Sequence, residues 1–202
     1  MLYCLACFDG DYASIRNQKE SFPTNLNSIS FSNMRLKQLD RIIEIEDDQL
    51  TAVKSLSLSE EYLKDHFPRF PVMPGVLMVE SIYQAAMYLV RVRDDFSHSM
   101  VVLRETKNIK FGDFVEPGNQ LVVHVKIKSE ADSLVTIQVK ATTGGATAVR
   151  GQIVLEKYNL ADRQMAPKEV DDDLRFKFRK RFERLCGPNY CETGKPDPFV
   201  VQ

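Results

Sequence analysis

Two stretches of the chain alternate between apolar and polar residues, a pattern that predicts β-strands with one buried face. They are 120–129 (QLVVHVKIKS) and 133–142 (SLVTIQVKAT). Strand-like runs flank them at 101–111 and 146–156. Turn-forming residues (EPGN, TGGA) separate the runs, so we expect neighbouring strands to pair antiparallel. The pattern therefore predicts an antiparallel sheet with one face against a core and the other in water.

Two shorter segments upstream extend the expected sheet. The end of 37–47 (LKQLDRIIEIE) alternates like a strand, although the segment as a whole is ambiguous. The segment 51–59 (TAVKSLSLS) alternates more clearly, and we expect Val53, Leu56 and Leu58 to point inward.

The segment 75–92 (GVLMVESIYQAAMYLVRV) predicts one long helix that is apolar on nearly every face. Pro74 and Gly75 mark its start, because the residue before a proline avoids the α region. A helix of this kind is buried, so it should lie against the sheet in an α+β fold. A single sheet cannot cover it on all sides, and we therefore expect a second subunit to cover the remainder.

The pattern divides the chain into three parts. Residues 1–33 are polar and lack a sustained period, which predicts a poorly ordered N-terminal extension. Residues 34–158 form the expected folded domain. Residues 159–202 contain a linker and a short basic, amphipathic C-terminal helix.

That C-terminal helix, within 171–187, has acids at its start and a glycine at its end. Its apolar residues fall on one face: Leu174, Phe178, Phe182 and Leu185. Its basic residues cover the remaining faces: Arg175, Lys177, Arg179, Lys180, Arg181 and Arg184. The bland interpretation is a helix packed on the domain with a solvated basic face. The functional interpretation is a docking surface for an acidic partner.

Composition adds little to this picture. The formal net charge is −1, so the whole-chain balance indicates neither nucleic acid nor membrane partners. No stretch approaches the ~18 apolar residues of a membrane span. The N-terminus lacks the basic start of a secretory signal, and we expect a cytoplasmic protein. The cysteines then read as free thiols; a zinc site would need Cys4 and Cys7 to meet Cys186 and Cys191, and we expect no metal.

The chemistry concentrates in 65–80 (DHFPRFPVMPGVLMVE). His66 begins a loop stiffened by three prolines, and imidazole titrates in the range of a general base. Glu80 interrupts the apolar helix, where burial raises the pKa of a carboxyl and suits it to be a general acid. The alternative is a glutamate satisfied by a neighbour such as Gln84. At Gly75 the helix N-terminus offers free N–H groups to an oxyanion. Together they suit proton abstraction beside a carbonyl.

The stretch 66–86 (HFPRFPVMPGVLMVESIYQAA) closely resembles the motif of the hotdog-fold 3-hydroxyacyl-acyl-carrier-protein dehydratases of fatty-acid synthesis. The resemblance covers roughly 36–157 and includes the segment 109–125 (IKFGDFVEPGNQLVVHV). The motif positions that match in spacing are His66, Phe67, Pro68, Pro71, Pro74, Gly75, Val76, Leu77, Glu80 and Gln84.

The resemblance implies a hotdog fold, one long central helix wrapped by a sheet, in a dimer that joins two sheets and shares its active sites; a hexamer stays open. By carry-over, His66 removes the α-proton, Glu80 protonates the leaving hydroxyl, and the Gly75 N–H stabilises the thioester oxygen. The other substrate-binding positions are Phe67, Pro74, Val76 and Gln84. The substrate is linked to acyl carrier protein, and no cofactor is implied. That carrier is acidic, so the basic residues of the C-terminal helix are candidates for recruiting it.

The sequence departs from the family at both flanks of the His-Phe-Pro triplet. Asp65 and Arg69 stand where the family usually has glycine, and aspartate tolerates a left-handed backbone better than most residues. Two alternatives therefore stay beside the dehydratase: a hotdog acyl-thioesterase that activates water at the same helix end, and a non-catalytic acyl-binding or assembly subunit.

Overall fold

The computed structural model describes residues 36–67, 69–190 and 194–197. The predicted N-terminal extension, together with Pro68, Cys4, Cys7 and Cys191, lies outside the described residues. The strands are β1 (Arg41–Ile45), β2 (Gln49–Ser55), β3 (Met100–Phe111), β4 (Gln120–Ala131), β5 (Leu134–Thr143) and β6 (Ala146–Tyr158). The helices are α1 (Gly75–Arg93) and α2 (Lys168–Cys186), and a short 3₁₀ helix spans Glu61–Lys64.

The strands form one 6-stranded sheet in the order β1-β2-β4-β5-β6-β3, and the described pairs are antiparallel. Its register follows the alternation of the sequence. Val125 on β4 lies opposite Val139 on β5, and both are buried. Lys126 and Gln138, one position along each strand, also lie opposite each other, on the outer face. The predicted antiparallel sheet with one dry face is therefore confirmed.

Helix α1 begins at Gly75, as predicted, and packs across the dry face of the sheet. Its residues from Ser81 to Arg91 are buried without exception. One predicted inward position is wrong: Leu58 is 70% exposed, whereas Val53 and Leu56 are buried. The reason is that β2 ends at Ser55, so the alternation of the sequence continues beyond the strand into a turn.

Helix α2 packs on α1 through its aromatic side chains. The ring of Phe182 packs on Tyr88 with centroids 5.9 Å apart, and Phe178 lies beneath the Arg91 guanidinium at 3.9 Å. We expected a second subunit to cover the part of α1 that the sheet leaves open, but Ser81 to Arg91 are already buried within this chain. The N-terminal turn of α1 is not covered in the same way, and Val76 in that turn is 54% exposed.

A buried arginine ties the end of α1 to the loop that follows it. Arg91 is 2% exposed and donates hydrogen bonds to the carbonyl oxygens of His98 at 2.7 Å and Ser99 at 2.8 Å. The face of its guanidinium lies on the Phe178 ring, while its buried Nε has no hydrogen-bond partner among the described residues. No helix in the described ranges combines the length and hydropathy that crossing a bilayer requires.

Candidate active site

The loop that carries His66 is fixed at both ends by backbone hydrogen bonds. At its start, the His66 N–H donates to the carbonyl of Tyr62 in the 3₁₀ turn at 3.1 Å. At its end, the Met73 N–H donates to the carbonyl of Val115 at 2.9 Å. Val72 and Met73 are both 1% exposed, so they anchor the loop in the core. The proline-rich segment is therefore a rigid arm, as its composition predicts.

The imidazole of His66 is oriented by a hydrogen bond to the main chain. Its Nδ1 lies 3.0 Å from the carbonyl oxygen of Val72. A carbonyl oxygen only accepts, so Nδ1 carries the proton and donates it. In the neutral ring this leaves the lone pair on Nε2, the nitrogen that a general base needs.

The left-handed residue of the loop is not the one that the sequence indicates. Asp65 has φ of −103°, an ordinary right-handed value. Phe67 has φ of 50°, which is uncommon for a non-glycine residue and costly for a bulky one. Its ring lies edge-on to the His66 ring at 4.6 Å and is 60% exposed. The strain sits immediately after the candidate base, where it sets the direction of the chain.

Glu80 lies half-buried on α1 and accepts a hydrogen bond from Gln84. The distance from Gln84 Nε2 to Glu80 Oε1 is 2.8 Å. The same amide nitrogen donates to the Leu36 carbonyl at 2.8 Å, and its oxygen accepts the Gln38 N–H at 3.1 Å. Gln84 is fully buried, so these bonds lock the amide and leave it one way to meet Glu80. The alternative expectation, that a neighbour such as Gln84 satisfies Glu80 by a hydrogen bond, is thus confirmed for that hydrogen bond.

Burial nevertheless raises the pKa of Glu80, which is the property expected of a general acid. Two weaker influences oppose the rise: the hydrogen bond from Gln84 and the positive charge of Arg181. Sequence reasoning placed Arg181 on a docking surface and missed its effect on Glu80. Its Nη2 atom is fully buried and has no hydrogen-bond partner among the described residues. Its register on α2, beside Phe182, is the signal that could have indicated an inward position.

The start of α1 favours a glycine for a steric reason. A Cβ at Gly75 would stand 3.0 Å from Cε1 of Phe111 on β3, tighter than most side-chain contacts, so the exposed Phe111 ring would have to shift. Pro74 precedes the helix and accepts hydrogen bonds from the N–H groups of Leu77 and Met78. The N–H groups of Gly75 and Val76 belong to the first turn, which has no intrahelical acceptors for them. They are the donors that an oxyanion would meet.

Within one chain the two candidate catalytic residues are not joined. No hydrogen bond or ion pair links His66 to Glu80 among the residues described. Around His66 and Gly75 lies an exposed aromatic rim, in which Phe70 and Phe114 meet edge to face at 5.8 Å. The members of this aromatic rim, all at least 49% exposed, are Phe67, Phe70, Phe111 and Phe114.

The basic residues of α2 are largely engaged by their own surroundings. Arg179 pairs with Asp95 at 2.8 Å, and Lys177 pairs with Asp173 at 2.7 Å. Lys180 pairs with Glu183 at 2.9 Å. Arg175 pairs with Asp172, and Arg184 is exposed. The helix itself packs by its apolar face, as the bland interpretation predicts, with Leu174, Phe182 and Leu185 buried.

The described residues contain no group of three or more His, Cys, Asp or Glu side chains arranged to hold a metal ion. Cys186 is fully buried, and burial raises the pKa of its thiol to about 12. That thiol therefore packs as an apolar group. The other three cysteines, Cys4, Cys7 and Cys191, lie outside the described residues.

The strand order and the wrapped central helix define a hotdog fold. The dehydratase heterocomplex ApeI:P from Xenorhabdus doucetiae has a similar fold, with a TM-score of 0.54 and 13% identity over 63% of this chain and 87% of that chain.

Sequence comparison goes further than fold. The pattern of the FabA-like domain family matches residues 31–152, and this chain belongs to that family. It is 36% identical over 115 residues to the 3-hydroxyacyl-[acyl-carrier-protein] dehydratase FabZ of Lactococcus lactis subsp. cremoris strain SK11, covering 57% of this chain and 80% of that protein. The FabZ of Streptococcus mutans is 32% identical over 115 residues, covering 57% and 82%. The matched span ends before α2.

Proposed function

We propose that this protein is a hydro-lyase that converts 3-hydroxyacyl-acyl carrier protein to trans-2-enoyl-acyl carrier protein in fatty-acid synthesis. The observation that carries the proposal is the orientation of His66, whose Nδ1–H bonds to Val72 and leaves Nε2 free. The family membership and the names of the relatives support the same reaction. The cytoplasmic location expected from the sequence belongs to this proposal.

In the proposed reaction, Nε2 of His66 takes the proton from C2 of the substrate. The electrons of that bond form the C2–C3 double bond, and the C3–O bond breaks. Glu80 gives its proton to the departing hydroxyl, so the products are the enoyl thioester and water. Burial raises the pKa of Glu80 and so favours the protonated form that this step uses. The Gly75 N–H steadies the thioester oxygen as negative charge develops on it, beside the other substrate-binding positions: Phe67, Pro74, Val76 and Gln84.

We further propose a homodimer in which each site takes His66 from one chain and Glu80 from the other. Two observations support it. No hydrogen bond or ion pair joins the two residues among those described, and the aromatic rim near His66 is exposed. A partner chain over the rim would bury these rings and the exposed first turn of α1. Assembly of dimers into a hexamer is left to solution measurement.

The first experiment follows the hydration of a crotonyl thioester by loss of enoyl absorbance. The variants are His66→Ala and Glu80→Gln, and the matched controls are His98→Ala and Glu105→Gln, which lie away from the site. We expect turnover by the wild type and both controls, and a loss of at least about 10³-fold in the site variants, in the range of general acid–base contributions.

Parallel assays separate the alternatives. Release of free thiol without loss of the enoyl group would identify a thioesterase. A folded dimer that binds acyl carrier protein substrates without turning them over would identify a binding subunit. Sedimentation of each variant shows whether the assembly is intact, so that a lost site is not mistaken for a lost dimer.

Recruitment of the carrier by the basic residues of α2 stays a prediction. Deleting 171–202 is an unsuitable test of it, because Phe182, Leu185 and Cys186 belong to the hydrophobic core. Substitution of its exposed cations is the appropriate test.

A further inference from the structure

Three cations stand in one row across the outer face of the sheet. Arg150 on β6 lies directly opposite Lys110 on β3 and directly opposite Lys140 on β5. Residues in register on an antiparallel sheet project to the same face, so the three side chains are neighbours. All three are exposed. We call Lys110, Arg150 and Lys140 the cation row.

The cation row is not neutralised within the described part of the chain. Its members take part in none of the ion pairs found there, in contrast to four basic residues of α2: Arg175, Lys177, Arg179 and Lys180. The row borders an outer cleft of about 450 Å³. Among the described residues, no carboxylate lines the cleft. Beside the cations, its lining residues are Asn108, Gln138, Val139, Thr147, Gly151 and Gln152. Farther along the same line, the first acid is Glu44 on β1.

Like charges placed directly opposite each other destabilise a sheet. The local backbone is also irregular: the β3–β6 register shifts between Lys107 and Lys110, and Asn108 has φ of 52°. A Cβ on Gly151 would stand 2.9 Å from the Asn108 carbonyl, so this close approach needs glycine. Bulges of this kind redirect side chains, and they are common next to functional sites.

The cation row begins where β3 meets the candidate active site. Lys110 directly precedes Phe111, whose ring closes against Gly75. Successive residues of a strand point to opposite faces, so Lys110 belongs to the outer row while Phe111 lies at the candidate active site. A partner held by the row is therefore held at the strand that borders the entrance to the site.

We propose that Lys110, Arg150 and Lys140 form the docking surface for the acidic carrier protein that delivers the substrate. This inference rests on the proposed function, because it assumes a carrier-linked substrate. Charge complementarity identifies the partner. An acidic protein surface bound over the three cations would offset the electrostatic repulsion between them. Four cations of α2 already pair with acids and have less to offer: Arg175, Lys177, Arg179 and Lys180.

The test compares carrier-linked and carrier-free substrates in the full-length protein. The variant is the triple substitution Lys110→Gln, Lys140→Gln and Arg150→Gln. We expect KM for crotonyl-acyl carrier protein to rise about tenfold, which corresponds to ~1.4 kcal/mol. We expect kcat/KM for crotonyl-N-acetylcysteamine to stay within twofold of the wild type. The dependence of KM on NaCl should also flatten, since fewer charges contact the carrier.

A matched control removes the same charge elsewhere: Lys37→Gln, Arg104→Gln and Lys168→Gln. If the control raises KM for the carrier substrate as much as the row variant does, the effect is one of net charge and the inference fails. The competing surface is tested by Lys177→Gln, Lys180→Gln and Arg184→Gln. A rise confined to that variant would overturn the inference in favour of α2.

Binding without turnover separates this inference from the proposed function. Titration of labelled holo-acyl carrier protein into the His66→Ala protein measures docking alone. Tight, salt-sensitive binding that the row substitutions weaken supports the docking surface even if no variant hydrates crotonyl thioesters. Binding that the row substitutions leave unchanged contradicts it even if the enzyme is active.

Discussion

The Nδ1 atom of His66 lies 3.0 Å from the carbonyl oxygen of Val72, and this contact determines which ring nitrogen is available for chemistry. We expect neutral His66 to be the Nδ1–H tautomer. Long-range ¹H–¹⁵N spectra distinguish the two nitrogens directly, and His66→Gln identifies the signals. A spectrum with the proton on Nε2 would contradict the orientation and, with it, the proposed base.

The charge of Arg181 gives a pH prediction. It opposes the rise in the pKa of Glu80, so removing it in Arg181→Met should raise that pKa further. In dehydration Glu80 must be protonated, and the limb of the pH–rate profile that Glu80 controls should therefore move to higher pH. Arg181→Lys keeps the charge and should leave the limb in place. An equal displacement in both variants would indicate altered packing instead.

Gly75→Ala should impair the site more than the fold. The added methyl group meets the ring of Phe111 at 3.0 Å, and we expect a cost of about 1–3 kcal/mol in stability. Crotonyl hydration should fall because the first turn of α1 is displaced. The double variant with Phe111→Leu relieves the contact, so it should recover stability. Urea unfolding and kcat of the three variants form the cycle that checks this.

Arg91→Met should destabilise the protein, because it leaves the part-buried carbonyl of His98 and the buried carbonyl of Ser99 without this donor. We expect a loss of about 2–4 kcal/mol in the free energy of unfolding. Arg91→Lys should not restore it fully, since one ammonium cannot reproduce the planar fork. Arg104→Met, whose side chain is 68% exposed, is the control and should change stability little. Equal losses for both arginines would contradict the interpretation.

Asp171 should make the attachment of α2 sensitive to acid. Burial alone would raise the pKa of this carboxyl, but its hydrogen bonds, including those from the Leu160 and Ala161 N–H groups, lower it overall. A depressed folded pKa stabilises the protein above the unfolded value of about 3.9. That contribution disappears as the pH falls through the folded pKa.

Asp171→Asn should therefore cost about 1.5–3 kcal/mol at neutral pH, and less as the solution is acidified. Urea unfolding from pH 7 to pH 3 measures both effects, with Asp173→Asn on the exposed side of α2 as the control. A difference between wild type and Asp171→Asn that stays constant with pH would exclude this role.

The parts of the fold that repeat along the chain were predictable. Strand alternation in 120–142 and the mostly apolar stretch of α1 indicate which residues are buried, and the antiparallel sheet and the buried helix were predicted correctly from them. Leu58 was not, because periodicity carries no information about where pairing stops. The covering of α1 by α2 was missed for a related reason: an amphipathic face indicates that it packs, but not which surface it packs on.

At the candidate site, residue types were predictable and their conformations were not. The spacing of His66 and Glu80 is encoded in a short contiguous motif. The left-handed backbone at Phe67 depends on how the loop is held at Tyr62 and Val115, which are far apart in sequence. The charge of Arg181 acts on Glu80, about 100 residues earlier in the sequence, only because α1 and α2 pack together. Such long-range placement is set by the core, and no local pattern records it.

The position of Phe182, Leu185 and Cys186 in the core has a consequence for biosynthesis. A ribosome completes the last strand of the sheet at Tyr158 and makes Phe182, Leu185 and Cys186 afterwards, and domains fold from the N-terminus as they emerge. Until residue 186 has left the exit tunnel, Tyr88 and the Arg91 cation face water on the side that α2 later covers. The nascent chain thus passes through a stage with an open apolar surface, at which chaperones have a defined place to bind.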